Sequence, residues 1–285
     1  MAFDFRRILL KGAFAFRVLG SACLALAVQA GAQETAWRVS VGGGLVSTPK
    51  FPGADSQRIL ALPFVAASYG RFFFGADPGA ASLGGIGVNL YRDSHWRLAT
   101  ALSAGLSRRE ESDDPRLQGL GDVDRTVSAG VGIAYTQDWY TLRTSVLTDV
   151  LNRGHGTLAR FDASARYRPD DRLTFFAGPG LTWADSRYTQ TFFGVDANQS
   201  AASGLPQFNA HAGLNSVRFS LGAGYRFDRH WGAGVFGSIS RLQGDAASSP
   251  ITEDKSQYFV GAVVSYRFGN ASGLQDPGGF VYGGQ

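Results

Sequence analysis

The stretch SQYFVGAVVSYRFG, residues 256–269, poses the question of fold. Tyr258, Val260, Ala262, Val264, Tyr266 and Phe268 occupy every second position, with Gln257, Phe259, Gly261, Val263, Ser265 and Arg267 between them. A period of two belongs to a strand, not to a helix. One face of this strand is apolar and ends on Phe268; the other is mixed, with glycine, serine and arginine.

The pattern recurs along the chain. Val127, Ala129, Val131, Ile133 and Tyr135 are interleaved with Ser128, Gly130, Gly132 and Ala134. Val217, Phe219, Leu221, Ala223, Tyr225 and Phe227 are interleaved with Arg218, Ser220, Gly222, Gly224 and Arg226. A soluble sandwich needs bulky residues on its inner face and charged ones outside. Here the small and polar face repeatedly carries arginine with few bulky partners. That arrangement suits a barrel with a polar interior and an apolar wall turned to lipid.

The connections agree. Short turns at 69–71, 92–95, 137–139, 169–171 and 228–230 alternate with long polar connections at 48–57, 108–121, 186–214 and 243–255. Intermediate connections at 78–82 and 152–156 complete the alternation. Short turns on one rim and long loops on the other are expected of an outer-membrane barrel. The expected strands are 37–47, 58–68, 71–77, 83–91, 96–107, 123–136, 139–151, 157–168, 172–185, 215–227, 231–242 and 256–268. The fold class is therefore all-β: a closed antiparallel up-and-down transmembrane β-barrel of about 12 strands, or ten if the third strand and its neighbour are lost. Closure pairs every backbone group, which lipid requires and an open sheet cannot provide.

The N-terminal residues read as a secretory signal peptide over 1–32. Arg6, Arg7, Lys11 and Arg17 precede an apolar run from Val18 to Val28, and Ala30-Gly31-Ala32 supplies the cleavage site. The run is too short to span a bilayer as a helix. Cys23 reads as an ordinary signal residue, because the apolar run continues past it. The chain carries 27 Lys+Arg and 23 Asp+Glu, of which the first 32 residues hold four and one. The remainder is nearly neutral, at 23 against 22, so a nucleic-acid partner lacks its electrostatic footprint. Without Cys23 no cysteine remains, so disulfides do not close the fold. Residues 33–268 read as the barrel and 269–285, rich in glycine, as a flexible periplasmic tail.

Tyr266 and Phe268 end a strand that resembles the β-signal recognised by the barrel assembly machinery. A wider resemblance rests on WRVSVGGGLVSTPKFPGAD (37–55), LPFVAASYGRFFF (62–74), YTQTFFGV (188–195), SGLPQFNAHAGL (203–214) and RLQGDAASSPITEDKSQYFVGAVVSYRF (241–268). With these motifs the chain resembles the outer-membrane family of MltA-interacting protein and OmpV, over roughly 37–268. The resemblance implies a scaffold that brings a lytic transglycosylase and a penicillin-binding synthase together, with the lipid bilayer and lipopolysaccharide as surroundings. Other members are implicated in osmotic response, adhesion and the passage of antibiotics. Gly244, Asp245, Ser249 and Pro250 match the family loop, and the resemblance assigns them no chemistry. The tail departs from the family's usual ending and makes the terminal signal internal.

Candidate sites are few. Arg97, Arg143, Arg160, Arg166, Arg218, Arg226 and Arg267 share the inward phase with Asp149 and Asp162. They read as an interior salt-bridge network or as the lining of an anion-preferring channel. Glycine on the same face reads as leaving space. Phe72, Phe73 and Phe74 read as an aromatic girdle or lumen filling. Glu110, Glu111, Asp113, Asp114, Asp122 and Asp124 read as a solvated loop in preference to a calcium site, because EF-hand spacing is absent. His211 near Asn215 and Ser216 has no hydrolase motif around it. GGIGVN at 84–89 is followed by no helix, so it is no dinucleotide motif. The expectation is a non-enzymatic protein without catalytic residues, metal or cofactor. The alternative is a narrow channel for small polar solutes.

Overall fold

Each period-two segment forms a strand, and the strands pair in sequence order until the last meets the first. The computed structural model describes residues 36–75, 84–104 and 109–269. The expected signal segment 1–32, the 78–82 connection and the tail beyond Gly269 lie outside these residues. Within them the strands are β1 (Trp37–Pro49), β2 (Gln57–Tyr69), β3 (Phe72–Phe74), β4 (Ile86–Arg92), β5 (Trp96–Ala104) and β6 (Val127–Thr136). They continue with β7 (Tyr140–Asp149), β8 (Thr157–Tyr167), β9 (Leu173–Ala184), β10 (Gly213–Arg226), β11 (Trp231–Leu242) and β12 (Ser256–Gly269). All neighbours are antiparallel, and the sheet is a closed barrel. The closing seam pairs Val39 with Phe268 and Val41 with Tyr266. Twelve strands, not ten, are therefore present among the described residues.

Two faces follow from the register. Leu45, Ile59, Val131, Phe161, Phe219, Val235, Val260 and Val264 are exposed on the outer face. Exposed apolar side chains all round the wall have one compatible solvent, the hydrocarbon of a bilayer. Strands of 10 to 14 residues, such as β6 and β12, are long enough to cross it when tilted. Aromatics gather at the short-turn rim, where Trp96 packs against Tyr135, Trp139 against Tyr140, and Trp231 against Tyr266. Trp and Tyr favour the membrane–water boundary, because one end of each ring is apolar and the other can reach water.

The inner face is more filled than its glycines suggest. Phe64 is paired with Gly42, Phe73 with Gly87, Phe176 with Gly222 and Phe236 with Gly261. In each pair the phenyl ring occupies the space that a Cβ on the glycine would take. Glycine here makes room for a neighbouring ring, not for solvent. Val46, Phe176 and Phe236 form a lumen cluster with Leu62, Phe259 and Val263. The Phe triplet divides accordingly: Phe72 and Phe74 are exposed on the outer wall, and Phe73 is buried on the inner one.

The long connections are not loose. The 186–214 connection forms helices α1 (Ser186–Phe193) and α2 (Ala197–Ser203), and the 243–255 connection forms α3 (Gly244–Ser248). Asp185 caps α1 by accepting from the amide of Tyr188 at 2.8 Å. Asp196 and Gln199 form a reciprocal capping box at the start of α2, and Gly204 ends it in the left-handed region. Strand β6 starts at Val127 instead of 123, because Val123 pairs its backbone with Arg109 in an isolated bridge.

Candidate functional site

The folded connections at the long rim build a cap. Phe51 and Ala54 from the β1–β2 connection meet Leu117 and Leu120, Val195 from the α1–α2 junction and Ile251 after α3, with Leu205 and Phe208 against them. Phe51, Leu117, Val195 and Ile251 are all at most 2% exposed, so this is a core of its own. Burying a side chain of this kind contributes about 1.5–3 kcal/mol. A second cluster joins Tyr188, Phe192 and Phe193 of α1 to Val123, Ala184, Leu242 and Ala246, with Leu158 against them. Leu158, Ala184 and Leu242 belong to the inner phase of β8, β9 and β11. Helix α1 therefore packs on the inner wall of the mouth.

Polar joints lock these segments. Arg116 donates Nε and Nη2 to the carbonyl of Pro250, at 3.0 and 2.6 Å. Ser249 Oγ donates to the carbonyl of Phe193 at 2.5 Å and accepts from the amide of Ile251 at 3.1 Å. Gln257, on the inner phase of β12, donates to the carbonyl of Ala54 and accepts from the amide of Gly53. Asp245 accepts from both the backbone amide and the ring Nδ1 of His211, at 2.7 and 3.0 Å. The His211 amide, then its ring, hold the Asp245 carboxyl below its ordinary range. Gly244 takes φ 52, which suits glycine. The family-loop residues Gly244, Asp245, Ser249 and Pro250 are thus joints of the cap.

At the centre of the cap Arg109 is 1% exposed. It donates Nη1 to the carbonyl of Phe192 at 3.0 Å and Nη2 towards that of Leu120. Burial pushes its guanidinium down to about 10, against support from Asp122 and Glu111. Burial likewise pushes the Tyr188 phenol up to about 12. Part of the acidic segment around Arg109 braces its own backbone, while Asp122 and Asp124 stay exposed as expected of a solvated loop. Glu111 Oε1 accepts from the amides of Gly119 and Gly121, Asp122 from that of Glu111, and Asp114 from that of Arg116. Carboxylates that accept backbone amides replace water in holding a tight turn. No group of three potential metal ligands occurs among the described residues.

The charged residues of the inner phase fall into two sets. Arg218 and Asp162 pair across β10 and β8 at 2.5 Å, with Arg160 close by. Arg143 donates to Ser164 at 3.3 Å. Asp149 ends β7 at the long rim, where Thr126 and the amides of Leu151 and His155 engage it. Arg97, Arg166, Arg226 and Arg267 lie towards the short-turn rim. Arg226 donates to the carbonyl of Asp171. At the seam Tyr266 stacks on His230 and tilts against Phe268. His211 has Asp245 as its partner, and Ser216 sits in β10 opposite Leu242.

The short turns repeat one device that periodicity had not revealed. In DSHW (93–96), DDRL (170–173) and DRHW (228–231) the leading aspartate accepts from the amides two and three residues on. The Asp-x-x spacing was visible in the sequence as the signal of an Asx turn.

Comparison with known proteins places this architecture. A family model described as MltA-interacting protein MipA matches residues 41–268. The chain belongs to this family. It is 26% identical to the MltA-interacting protein of Escherichia coli strain K12 over 85% of this chain and 95% of that one. It is 24% identical to the outer membrane protein OmpV of Vibrio cholerae over 70% of this chain and 79% of that one. A solved monoaromatic hydrocarbon channel, CymD, covers 84% of this chain and 90% of its own, at 12% identity and a TM-score of 0.38. Barrel fold, lipid-facing wall and family together make this MipA-family chain an outer-membrane protein.

Proposed function

We propose that this MipA-family barrel is a non-enzymatic scaffold, linking a peptidoglycan hydrolase with a synthase at the outer membrane. The observation that carries the reading is the cap: α1 packs on the inner wall of the mouth, and Phe176 and Phe236 fill the lumen below. A barrel closed in this way is suited to presenting surfaces, not to passing solute. The name of the E. coli relative supports the hydrolase half of the reading, a lytic transglycosylase. The synthase half, a penicillin-binding protein, and contact with lipopolysaccharide rest on the family resemblance. The non-enzymatic part of the reading rests on the family and on the names of the relatives. Residues 1–32 as a signal peptide and 269–285 as a periplasmic tail belong to the same reading.

The second reading is the narrow channel, favoured by the inner-phase arginines. Two measurements separate them. Purified protein in planar bilayers should be silent, and a pull-down from solubilised membranes should recover a lytic transglycosylase. Steady conductance altered by Arg218→Ala, with no such enzyme recovered, would establish the channel instead.

A further inference from the structure

Three connections of the cap enclose a polar cavity of about 470 Å³ at the long rim. Arg109, Leu120 and Val123 of the β5–β6 connection line one part of it, and Gln190, Asp196 and Gln199 of the α1–α2 segment another. Arg153 of the β7–β8 connection completes the enclosure. The volume falls within the range of small-ligand sites, about 300–1,000 Å³. Such sites are mostly apolar, whereas charged and amide side chains dominate this one. A polar occupant fits such a wall.

Donors and acceptors stand side by side in it. Arg109 is 1% exposed, and its Nε is a buried donor with no acceptor. A buried donor left unpaired is costly, and an acceptor delivered into the cavity would relieve it. Gln190 accepts from the amide of Ala210 through Oε1, which leaves its Nε2 to donate. The carboxylates are half engaged. Asp122 Oδ1 accepts from the amide of Glu111 and Asp196 Oδ1 from that of Gln199, so the second oxygen of each remains an acceptor. The Asp124 side chain meets Arg153 at 3.8 Å, in an exposed pair. Three carboxylates against two guanidiniums are close to balance, which does not favour a strongly charged occupant. A hydroxyl group both donates and accepts, so a ring carrying several of them satisfies both kinds of partner. Leu120 and Val123 offer apolar contact to the C–H face of such a ring.

We propose that this cavity binds a sugar, a neutral polyhydroxylated ring arriving from outside the cell. The long connections of such barrels face the exterior. The same hydroxyl chemistry belongs to a free monosaccharide and to the end of a surface glycan. The site does not depend on the scaffold reading, because it needs no protein partner. A bound ring would join the β5–β6 connection to α2, so occupancy should hold the cap closed.

The test is calorimetric titration of purified protein, folded in a detergent without a sugar head group. The probes are glucose, N-acetylglucosamine and a neutral surface-polysaccharide oligosaccharide, with spermidine as the cationic comparison. Saturable binding of at least one sugar probe, tighter than that of spermidine, is the expected result. Binding of a monosaccharide identifies a free solute, and binding of the oligosaccharide alone a surface glycan. Thr191→Phe fills the cavity from α1 and should weaken binding at least tenfold. Asp196→Ser withdraws a carboxylate but keeps a side chain that caps α2, and should do the same. Asp138→Asn, in a turn of the opposite rim, should leave affinity unchanged. Heat-modifiable gel migration first checks folding, and whichever site variant folds carries the comparison. In wild type, saturating sugar should slow tryptic cutting after Arg116 at least fivefold. Folded wild type that binds no sugar probe saturably, or binds spermidine more tightly than any of them, overturns the proposal. So does unchanged affinity in a folded site variant, or sugar binding that leaves cutting after Arg116 unchanged.

Discussion

The phenyl ring of Phe236 stands where a side chain on Gly261 would be. The two residues are directly paired across β11 and β12, and a Cβ on Gly261 would collide with the ring. Gly261→Ala should therefore overpack the lumen and cost about 1–3 kcal/mol. Gly222→Ala, against Phe176, should behave likewise. Gly213→Ala, with nothing within 4 Å of the added carbon, should be neutral. Urea unfolding in detergent, followed by tryptophan fluorescence, would rank the three. Equal midpoints for all of them would mean that the rings move aside freely.

Those glycines show how far the sequence could be read. Alternation placed about twelve strands, with ten as the alternative, and the facing of all but the Phe72–Phe74 strand, because a one-residue slip turns every side chain to the other face. It could not show that a phenylalanine and a glycine on neighbouring inner faces are partners, since register is a property of the assembled sheet. The cap was legible only in pieces. Asp185 before Tyr188, the Asp196–Gln199 pair and Gly204 are helix start and stop signals in a segment that otherwise reads as loop. The apolar Leu117, Leu120, Phe192, Phe193 and Ile251 were its core residues. With Phe51 they join four connections far apart in the chain, a contact that no local pattern records.

The outer face of β12 gives a second expectation. Val264 is exposed on the wall, opposite Ala233 on one side and Gly43 on the other. An arginine near the midplane of the lipid face costs roughly 2–4 kcal/mol. Val264→Arg should therefore lower the heat-modifiable folded fraction in outer membranes, and Val264→Ile should not. A Val264→Arg variant that assembles as well as wild type would place β12 with the opposite facing.

The Arg218–Asp162 pair predicts an asymmetry. Removing one partner of a largely buried pair leaves a charge without compensation, which costs about 3–5 kcal/mol when burial is complete. Asp162 and Arg218 side chains are 8% and 18% exposed, so the lower end applies. Asp162→Ala should lower the unfolding midpoint more than the double variant Asp162→Ala/Arg218→Leu does. A double variant less stable than the single would show that the pair is a net source of stability beyond its own desolvation.

Acid should act at the short turns. Backbone amides, led by those of Trp96, Arg172 and Trp231, hold the carboxyls of Asp93, Asp170 and Asp228 below the ordinary aspartate range. A carboxyl depressed in the folded state stabilises above its unfolded value, about 3.9, and loses that contribution as pH falls through the folded one. Unfolding midpoints should be flat above about pH 5 and fall below pH 4. The triple variant with alanine at 93, 170 and 228 should start lower and show a shallower acid limb. An acid limb as steep as that of wild type would assign the loss to other carboxylates.

The cap should open without the barrel unfolding. Arg109 is its central joint: its guanidinium reaches the carbonyls of Phe192 and Leu120, the second of which also accepts from Gln199 Nε2 at 2.6 Å. Arg109→Met keeps most of the side-chain volume and removes both donors. The buried Phe192 carbonyl, deprived of this donor, costs about 1–3 kcal/mol, while the Leu120 carbonyl keeps its bond from Gln199. That loss falls on the connections, while the twelve strands keep their own ladder. Limited proteolysis of Arg109→Met should cut within 115–121 or 196–208, and the heat-modifiable band of the barrel should persist. The same variant bears on function. If the cap and not the lumen filling blocks passage, wild type should be silent in planar bilayers and Arg109→Met should conduct. Silence in both, with the cap demonstrably cleaved, would assign closure to Phe176, Phe236 and the other inner-wall rings.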